Sequence, residues 1–416
     1  MKRTLLIILC VLLALCTVAC GGDVEMDNTN TSLTESTVNS EVSSVESTTS
    51  VITSSEAVSS LIKPGAKPVI PDGDTYTENG KTYVREYAAN IELFKYCGTW
   101  QADFDNSKAM VSYWNVAYFE IDFTGNSIVL EFLKPSDFYA IIDNTSEMQL
   151  SQVNGKRTFN ASGDGKHTLK IFSSSARSSI YFLSAAVPKG QKMSRTADKE
   201  HYIQFIGDSI SEDGRSFTFH SAKMLNWDYS VTAKAGMSLR TGYGYYLCDF
   251  FNHKLGMEDA FFRLGYPHND MTGLQRDLYS QYLNIDLLKN NFQTGNTPDI
   301  VFIFIGTNDG LTESYFANDF AKRYLAFVDN IMSVYENKPQ IVMMQALSAT
   351  YPARFECFSA AADAVLKKYP GKAYFIDKAT VDSWGVEINQ SDNVHPTANG
   401  YARLSDKIAE WLGAMF

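Results

Sequence analysis

The chain has 416 residues, 45% of them hydrophobic and 20% charged, a balance that suits a globular protein and excludes a wholly disordered or fibrous one. Its formal charge of −11 argues against nucleic acid or an anionic membrane surface as the main partner and is compatible with a neutral polysaccharide. This length leads us to expect two ordinary domains.

The first twenty residues, MKRTLLIILCVLLALCTVAC, join Lys2 and Arg3 to an apolar run from Leu5 to Leu15. That run is too short to span a bilayer, so residues 1–20 read as a secretion signal. Thr17-Val18-Ala19-Cys20 resembles a bacterial lipobox, with Thr17 where leucine is usual. The resemblance implies a lipid on Cys20 and a secreted, cell-surface lipoprotein that meets the membrane only through that anchor. With the signal set aside, Cys97, Cys248 and Cys357 remain, an odd number without metal-like spacing. Buried thiols are expected rather than a disulfide framework or a metal centre. Residues 23–62 are dominated by Ser, Thr, Glu and Val without one aromatic. Such a segment buries too little apolar surface to offset the entropy of ordering, so 21–76 reads as a disordered tether.

Residues 77–195 change to a period of two. YFEIDF (118–123), SIVLEF (127–132), FYAIID (138–143), HTLKIF (167–172) and IYFLSAAV (180–187) are strand-like, with turn signals such as Gly125-Asn126 and Gly163-Asp164-Gly165 between them. Short strands at this spacing predict an all-β jelly roll or sandwich. Over 196–416, buried strands alternate with amphipathic helices. Strands are expected at 202–206, 229–233, 300–305, 341–346 and 373–376, and helices at about 216–225, 274–289, 314–335, 354–368 and 398–413. IVFIFI (300–305) is apolar on both faces, as parallel strands covered on both sides are. The expected fold is α/β, a doubly wound, flavodoxin-like domain after the β-domain, with its ligand at the C-terminal strand ends.

Four such strand ends carry chemistry. Gly207-Asp208-Ser209 follows the first; alone it reads equally well as a turn, and a serine nucleophile needs a base within reach. Asp392-Asn393-Val394-His395 supplies one before the last helix, with Asp392 placed to hold Nδ1–H of His395 and leave Nε2 for Ser209. Gly306-Thr307-Asn308 and Gly236 end two further strands. The N–H groups of Ser209 and Gly236 with the Asn308 amide then make a three-donor oxyanion hole. Asp208 and Asp309 are expected to brace these loops. The quartet Ser209, Gly236, Asn308 and His395, in this order, resembles the SGNH or GDSL hydrolase superfamily over residues 202–416. Ile210 and Ser211 after the serine exclude the Gly-x-Ser-x-Gly elbow of α/β-hydrolases.

A jelly roll joined directly to such a domain looks like carbohydrate esterase family 2, and FYAIIDN, GDGKHTLKIF and FIGDSIS are similar to that family. EDGRSFTF stands where the family usually carries a Gly-Tyr-Gly-like turn. The resemblance implies a serine esterase removing O-acetyl groups from xylan- or glucomannan-type polysaccharides or oligosaccharides, with no cofactor. Activity is expected to need the unprotonated His395 ring as its base. Trp384 is a candidate for stacking on a sugar, or else caps the core below its loop; Arg240, Tyr243 and Tyr245 are candidates to line the cleft. Two other readings stay open: a glycan-binding lipoprotein with an inactive hydrolase domain, and a lipid- or peptidoglycan-directed esterase.

Overall fold

The structure is a computed structural model and describes residues 69–103, 105–112, 114, 116–143, 145–173, 179–212, 216–244, 247–248, 253–254, 256–262, 297–347 and 352–416. An antiparallel sheet comes first. Its strands are β1 (Asp74–Glu78), β2 (Lys81–Tyr87), β3 (Lys95–Cys97), β4 (Gln101–Ala102), β5 (Met110–Ser112), β6 (Tyr118–Thr124), β7 (Ser127–Ile142), β8 (Met148–Asn160), β9 (Lys166–Ser173), β10 (Ile180–Pro188) and β11 (Met193–Ser194). The main path runs β1-β2-β10-β7-β9-β6-β11.

The two expected strands at 127–132 and 138–143 are one strand, β7. Its register against β8 breaks on both sides of Ser136, so the strand bends there. Residues 129–132 pair with β10 and residues 138–142 with β9, and a strand shared in this way curls the sheet over its own apolar face. Phe94, Phe119, Phe132, Phe138 and Phe182 fill the enclosed space, with the Phe119 and Phe182 rings stacked 4.1 Å apart. This is the jelly-roll type of packing that the short strands imply.

At one end of this sheet His167 places Nδ1 2.6 Å from Asp143 Oδ2 and Nε2 3.2 Å from the Gly163 carbonyl. Both nitrogens face acceptors, so only the doubly protonated ring satisfies both. The Asp143 hydrogen bond raises the His167 pKa above its ordinary value. A raised folded-state value means that the stabilisation is complete below the unfolded pKa and fades as pH rises through the folded one. His167→Ala is accordingly expected to lower Tm more at pH 5.5 than at pH 9. An equal loss at both would show that the ring acts only by packing.

The second sheet is parallel throughout, with β12 (Tyr202–Gly207), β13 (Asp228–Ala233), β16 (Ile300–Phe304), β17 (Gln340–Met344) and β18 (Ala373–Ile376) in the order β13-β12-β16-β17-β18; β14 (Leu247–Cys248) and β15 (His253–Lys254) form a separate pair. In chain order this is 2-1-3-4-5, the flavodoxin-like doubly wound arrangement. The helices are α1 (Phe217–Leu225), α2 (Met257–Ala260), α3 (Ala317–Val334), α4 (Pro352–Lys368), α5 (Lys378–Ser383) and α6 (Ala398–Met415). Alternation along the strands explains the two layers. Val301 and Ile303 point into the core under α3 and α4, while Ile300, Phe302 and Phe304 point into the core under α1 and α6. The expected helix at 274–289 lies outside the described residues.

The core beneath α1 and α6 does not stop at the parallel sheet. Cys97, Tyr118, Tyr139 and Phe172 of the antiparallel sheet belong to it, together with Phe219 and Tyr229. Buried beside them, Lys95 is 0% exposed and reaches Asp228 at 2.6 Å and Glu120 at 3.4 Å. Tyr118 donates to the other oxygen of Asp228 at 2.9 Å. An ion pair this deep joins the sheets in one relative position, because any shear strands a charge out of water.

Candidate active site

Ser209, Gly236 and Asn308 follow β12, β13 and β16, three adjacent strands that end on the same side. Gly207 lets the nucleophile turn form: a Cβ there would stand 2.2 Å from Ser211 Oγ and 3.0 Å from the Phe304 carbonyl. Ser209 is half-buried, and its Oγ lies 2.7 Å from Nε2 of His395. On the other side of the ring, Nδ1 is 2.9 Å from Asp392 Oδ2. Asp392 Oδ1 accepts the backbone N–H groups of Val394 and His395 at 2.9 and 3.1 Å. The Val394 amide first, then the imidazole, holds the Asp392 carboxyl below its ordinary pKa. The reach across 186 residues thus ends in a continuous hydroxyl–imidazole–carboxylate relay, the arrangement that spacing alone only allowed.

The three candidate oxyanion donors sit on loops that are tied together. Asn308 Nδ2 donates to the Met237 carbonyl at 3.0 Å, beside Gly236, and its second hydrogen meets no acceptor among the described residues. Gly236 has φ +76° and Gly306 has φ +126°, both in the left-handed region. At Gly306 any side chain would also strike Phe358, whose Cζ stands 2.6 Å from an added Cβ. Glu212 was not singled out in the sequence. It bonds Lys234 Nζ at 2.8 Å and the Ala235 N–H at 2.7 Å, fastening the turn after Ser209 to the loop of Gly236. An acid three residues past a candidate nucleophile, with a lysine just past the next strand, was the available signal.

Asp309 braces the same region. Its carboxylate accepts the N–H groups of Leu239 at 2.7 Å and Arg240 at 3.0 Å, and Arg240 Nε at 3.2 Å. Asp208 is buried directly under the nucleophile. Its Oδ1 accepts the Ile210 N–H at 3.1 Å, while Oδ2 meets no donor at hydrogen-bonding distance, though the Thr307 hydroxyl is near enough to favour the anion. Burial pushes the Asp208 pKa up to about 6. The folded state therefore holds this proton more tightly than the unfolded chain, and stability falls as pH rises from about 4 through about 6. Asp208→Asn is expected to raise stability at pH 7.5 by on the order of 2–3 kcal/mol, with the gain vanishing near pH 4. Urea titrations at both values decide it; a gain independent of pH would mean the carboxyl is not the cause.

Two of the candidate cleft residues are elsewhere. Arg240 is 0% exposed, held between Asp309 and Asp319, and so is part of the scaffold beneath the loop. Trp384 is 6% exposed and packs in the core with Leu404 and Ile408, which leaves no ring face for a sugar. For Trp384 the core-capping alternative holds, whereas Arg240 lines no cleft: it sits in a loop, and burial there depends on partners distant in sequence. Tyr243 is half-buried with the Arg240 guanidinium 3.7 Å from its ring centre. Tyr245 and Cys20 lie outside the described residues.

Residues 203–408 match the family model of the GDSL-like lipase/acylhydrolases. This segment is a GDSL-type acylhydrolase domain. The protein is thus a carboxylic ester hydrolase, and the relay and the tied donor loops lie inside that domain. No curated protein matches the chain in sequence. Solved structures share its fold across both sheets. A family two carbohydrate esterase from Cellvibrio japonicus superposes with a TM-score of 0.60 at 13% identity, covering 83% of this chain and 98% of that one. An acetyl xylan esterase from the rumen bacterium Butyrivibrio proteoclasticus gives 0.58 at 11% identity, covering 79% and 97%. A family two carbohydrate esterase from Clostridium thermocellum, in complex with cellohexaose, gives 0.55 at 16% identity, covering 77% and 98%.

Proposed function

We propose that this acylhydrolase removes O-acetyl groups from polysaccharides or oligosaccharides of the xylan or glucomannan type through an acetyl-enzyme. The observation that carries the reading is the 2.7 Å contact of Ser209 Oγ with His395 Nε2, backed by Asp392 on the opposite nitrogen. Ser209 Oγ attacks the acetyl carbonyl while Nε2 takes the hydroxyl proton. Asp392 balances the imidazolium and keeps Nδ1 protonated. The oxyanion forms against the N–H groups of Ser209 and Gly236 and the remaining Asn308 hydrogen, each donor worth roughly 2.7–4 kcal/mol in the transition state. Collapse expels the sugar oxygen, which leaves with the Nε2 proton, and acetyl stays on Ser209. Water then gives a proton to Nε2 and attacks the acetyl carbon. The second collapse releases acetate and returns the proton to Oγ.

A carbohydrate substrate is supported by the shared two-sheet fold of the esterases above, one of which holds cellohexaose, and by the acidic net charge, which disfavours anionic surfaces. The secreted protein is held at the cell surface by lipid on Cys20, with residues 21–73 as its tether, since 74–76, expected to belong to it, pair with β2 as part of β1; loss of labelled fatty-acid incorporation in Cys20→Ala tests this. Acetate release from acetylated xylan, glucomannan and peptidoglycan, beside a chromogenic acetate ester, tests the substrate. Acetate from xylan or glucomannan supports the reading. Better hydrolysis of long acyl esters than of acetate, with no release from any glycan, sinks it.

A further inference from the structure

A groove of about 760 Å³ opens at Ser209 and runs between α1 and α6. The two helices pack side by side through Ala222, Leu404 and Ile408 below, and present a second set of side chains above. From α1 come His220, Lys223 and Met224; from α6 come Ala398, Tyr401 and Asp406. On α6 positions 398, 402 and 406 step by four, and on α1 position 220 stands three and four residues before 223 and 224, one stripe on each helix. The stripe from Ala398 to Asp406 extends about 12 Å away from the nucleophile.

The side of Ser209 on which the groove lies decides what enters it. In ester cleavage the oxyanion points to the hole and the leaving oxygen to the general acid. Here the hole is built on the loops after β13 and β16, whereas the acid is His395 at the head of α6. Ala398, three residues after His395, is the first α6 residue of the groove. The alcohol half of the ester thus departs toward the groove and the small acyl half stays at the hole.

The lining mixes apolar surface with exposed polar side chains, a combination that suits a hydroxyl-rich chain. His220, Lys223 and Asp406 are exposed, and their side-chain polar atoms make no hydrogen bond among the described residues. Lys223 only overhangs the Phe219 ring, 5.6 Å from its centre. A cation on α1 and an anion on α6 supply a donor and an acceptor to neutral hydroxyls between them. Met224, 57% exposed, and the half-buried Tyr401 give the apolar surface that the C–H faces of a pyranose need.

The geometry points to this α1–α6 groove as the subsite for the sugar chain that carries the acetyl group, an assignment that rests on the proposed deacetylase reading. Ala402 lines the groove and is exposed, so Ala402→Trp fills it without touching the core. The readout is the ratio of kcat/KM on an acetylated xylo-oligosaccharide to kcat/KM on a chromogenic acetate ester. That ratio falls about tenfold or more in Ala402→Trp, and in the same direction in Lys223→Ala/Asp406→Ala, which removes only exposed groups. An unchanged ratio in both variants, with wild type active on the oligosaccharide, overturns the groove assignment and leaves the deacetylase standing. A variant that alters preference between acetate and longer acyl esters would instead make the groove an acyl site, which also overturns it. If wild type cleaves the chromogenic ester but no glycan, the deacetylase reading fails and takes the groove with it.

Discussion

Alanine at Ser209 is expected to lower kcat on a chromogenic acetate ester by about 10⁴–10⁶-fold, leaving only what binding and the donor loops provide. His395→Ala falls by a similar factor, and the double variant is hardly worse, because the two act as one unit. Asp392→Ala loses less. Its carboxylate is 39% exposed, so solvent screens part of its attraction for the imidazolium. Even so, it fixes the ring through Nδ1 and fixes the loop through two amides, so about 10²–10⁴-fold is expected. Protonation of Asp392 does not set the acid limit of activity near neutral pH, since the Val394 amide and the imidazole keep it ionised below the usual carboxylate range. Ser209 is half-buried in a surface cleft, and its Tm should hardly move on removal of one oxygen. A Ser209→Ala protein that keeps its fold by circular dichroism and more than a tenth of its activity would remove this serine from the chemistry.

Local patterns reached most of the fold, and they stopped where burial was decided elsewhere. IVFIFI announces a strand covered on both faces because its own side chains fill both cores. Asp392 and His395 lie three residues apart, so one turn brings them together, and the spacing shows it. β8 gave no such signal: only Phe159 of MQLSQVNGKRTFN is buried, so no apolar alternation marks it. β7 reads as two strands since the bend at Ser136 interrupts the alternation while pairing continues. Arg240 reads as a cleft-lining residue, and only the structure shows that Asp309 and Asp319, 69 and 79 residues on, make its burial tolerable. The groove between α1 and α6 was out of reach in the same way. Each helix is visibly amphipathic, but their partnership is a property of the sheet order.

Asp309 offers the sharpest test of how the scaffold supports the site. Replacing it with alanine removes the acceptor for two amides and Nε of a guanidinium that is 0% exposed. For hydrogen bonds Arg240 then keeps the Asp309 backbone carbonyl and Asp319, whose side chain is 48% exposed and cannot match a buried counter-ion. Stranding a buried charge costs about 3–5 kcal/mol, so a Tm drop of roughly 5–15 °C is expected. Asp309→Asn is milder, keeping one acceptor for the amides. Arg240→Met added to Asp309→Asn recovers part of the loss, because the unpaired cation is gone. Activity reads out something packing alone does not. Asp309 adjoins Asn308 and holds the 239–240 segment just past Gly236, so loosening it shifts both donors at once. With assays well below the lowered Tm, kcat should fall about 10²–10³-fold, the size of one lost oxyanion donor, with KM little changed. A destabilised variant with wild-type kcat would show that the ion pair supports the fold alone and that the donor loops hold their positions without it.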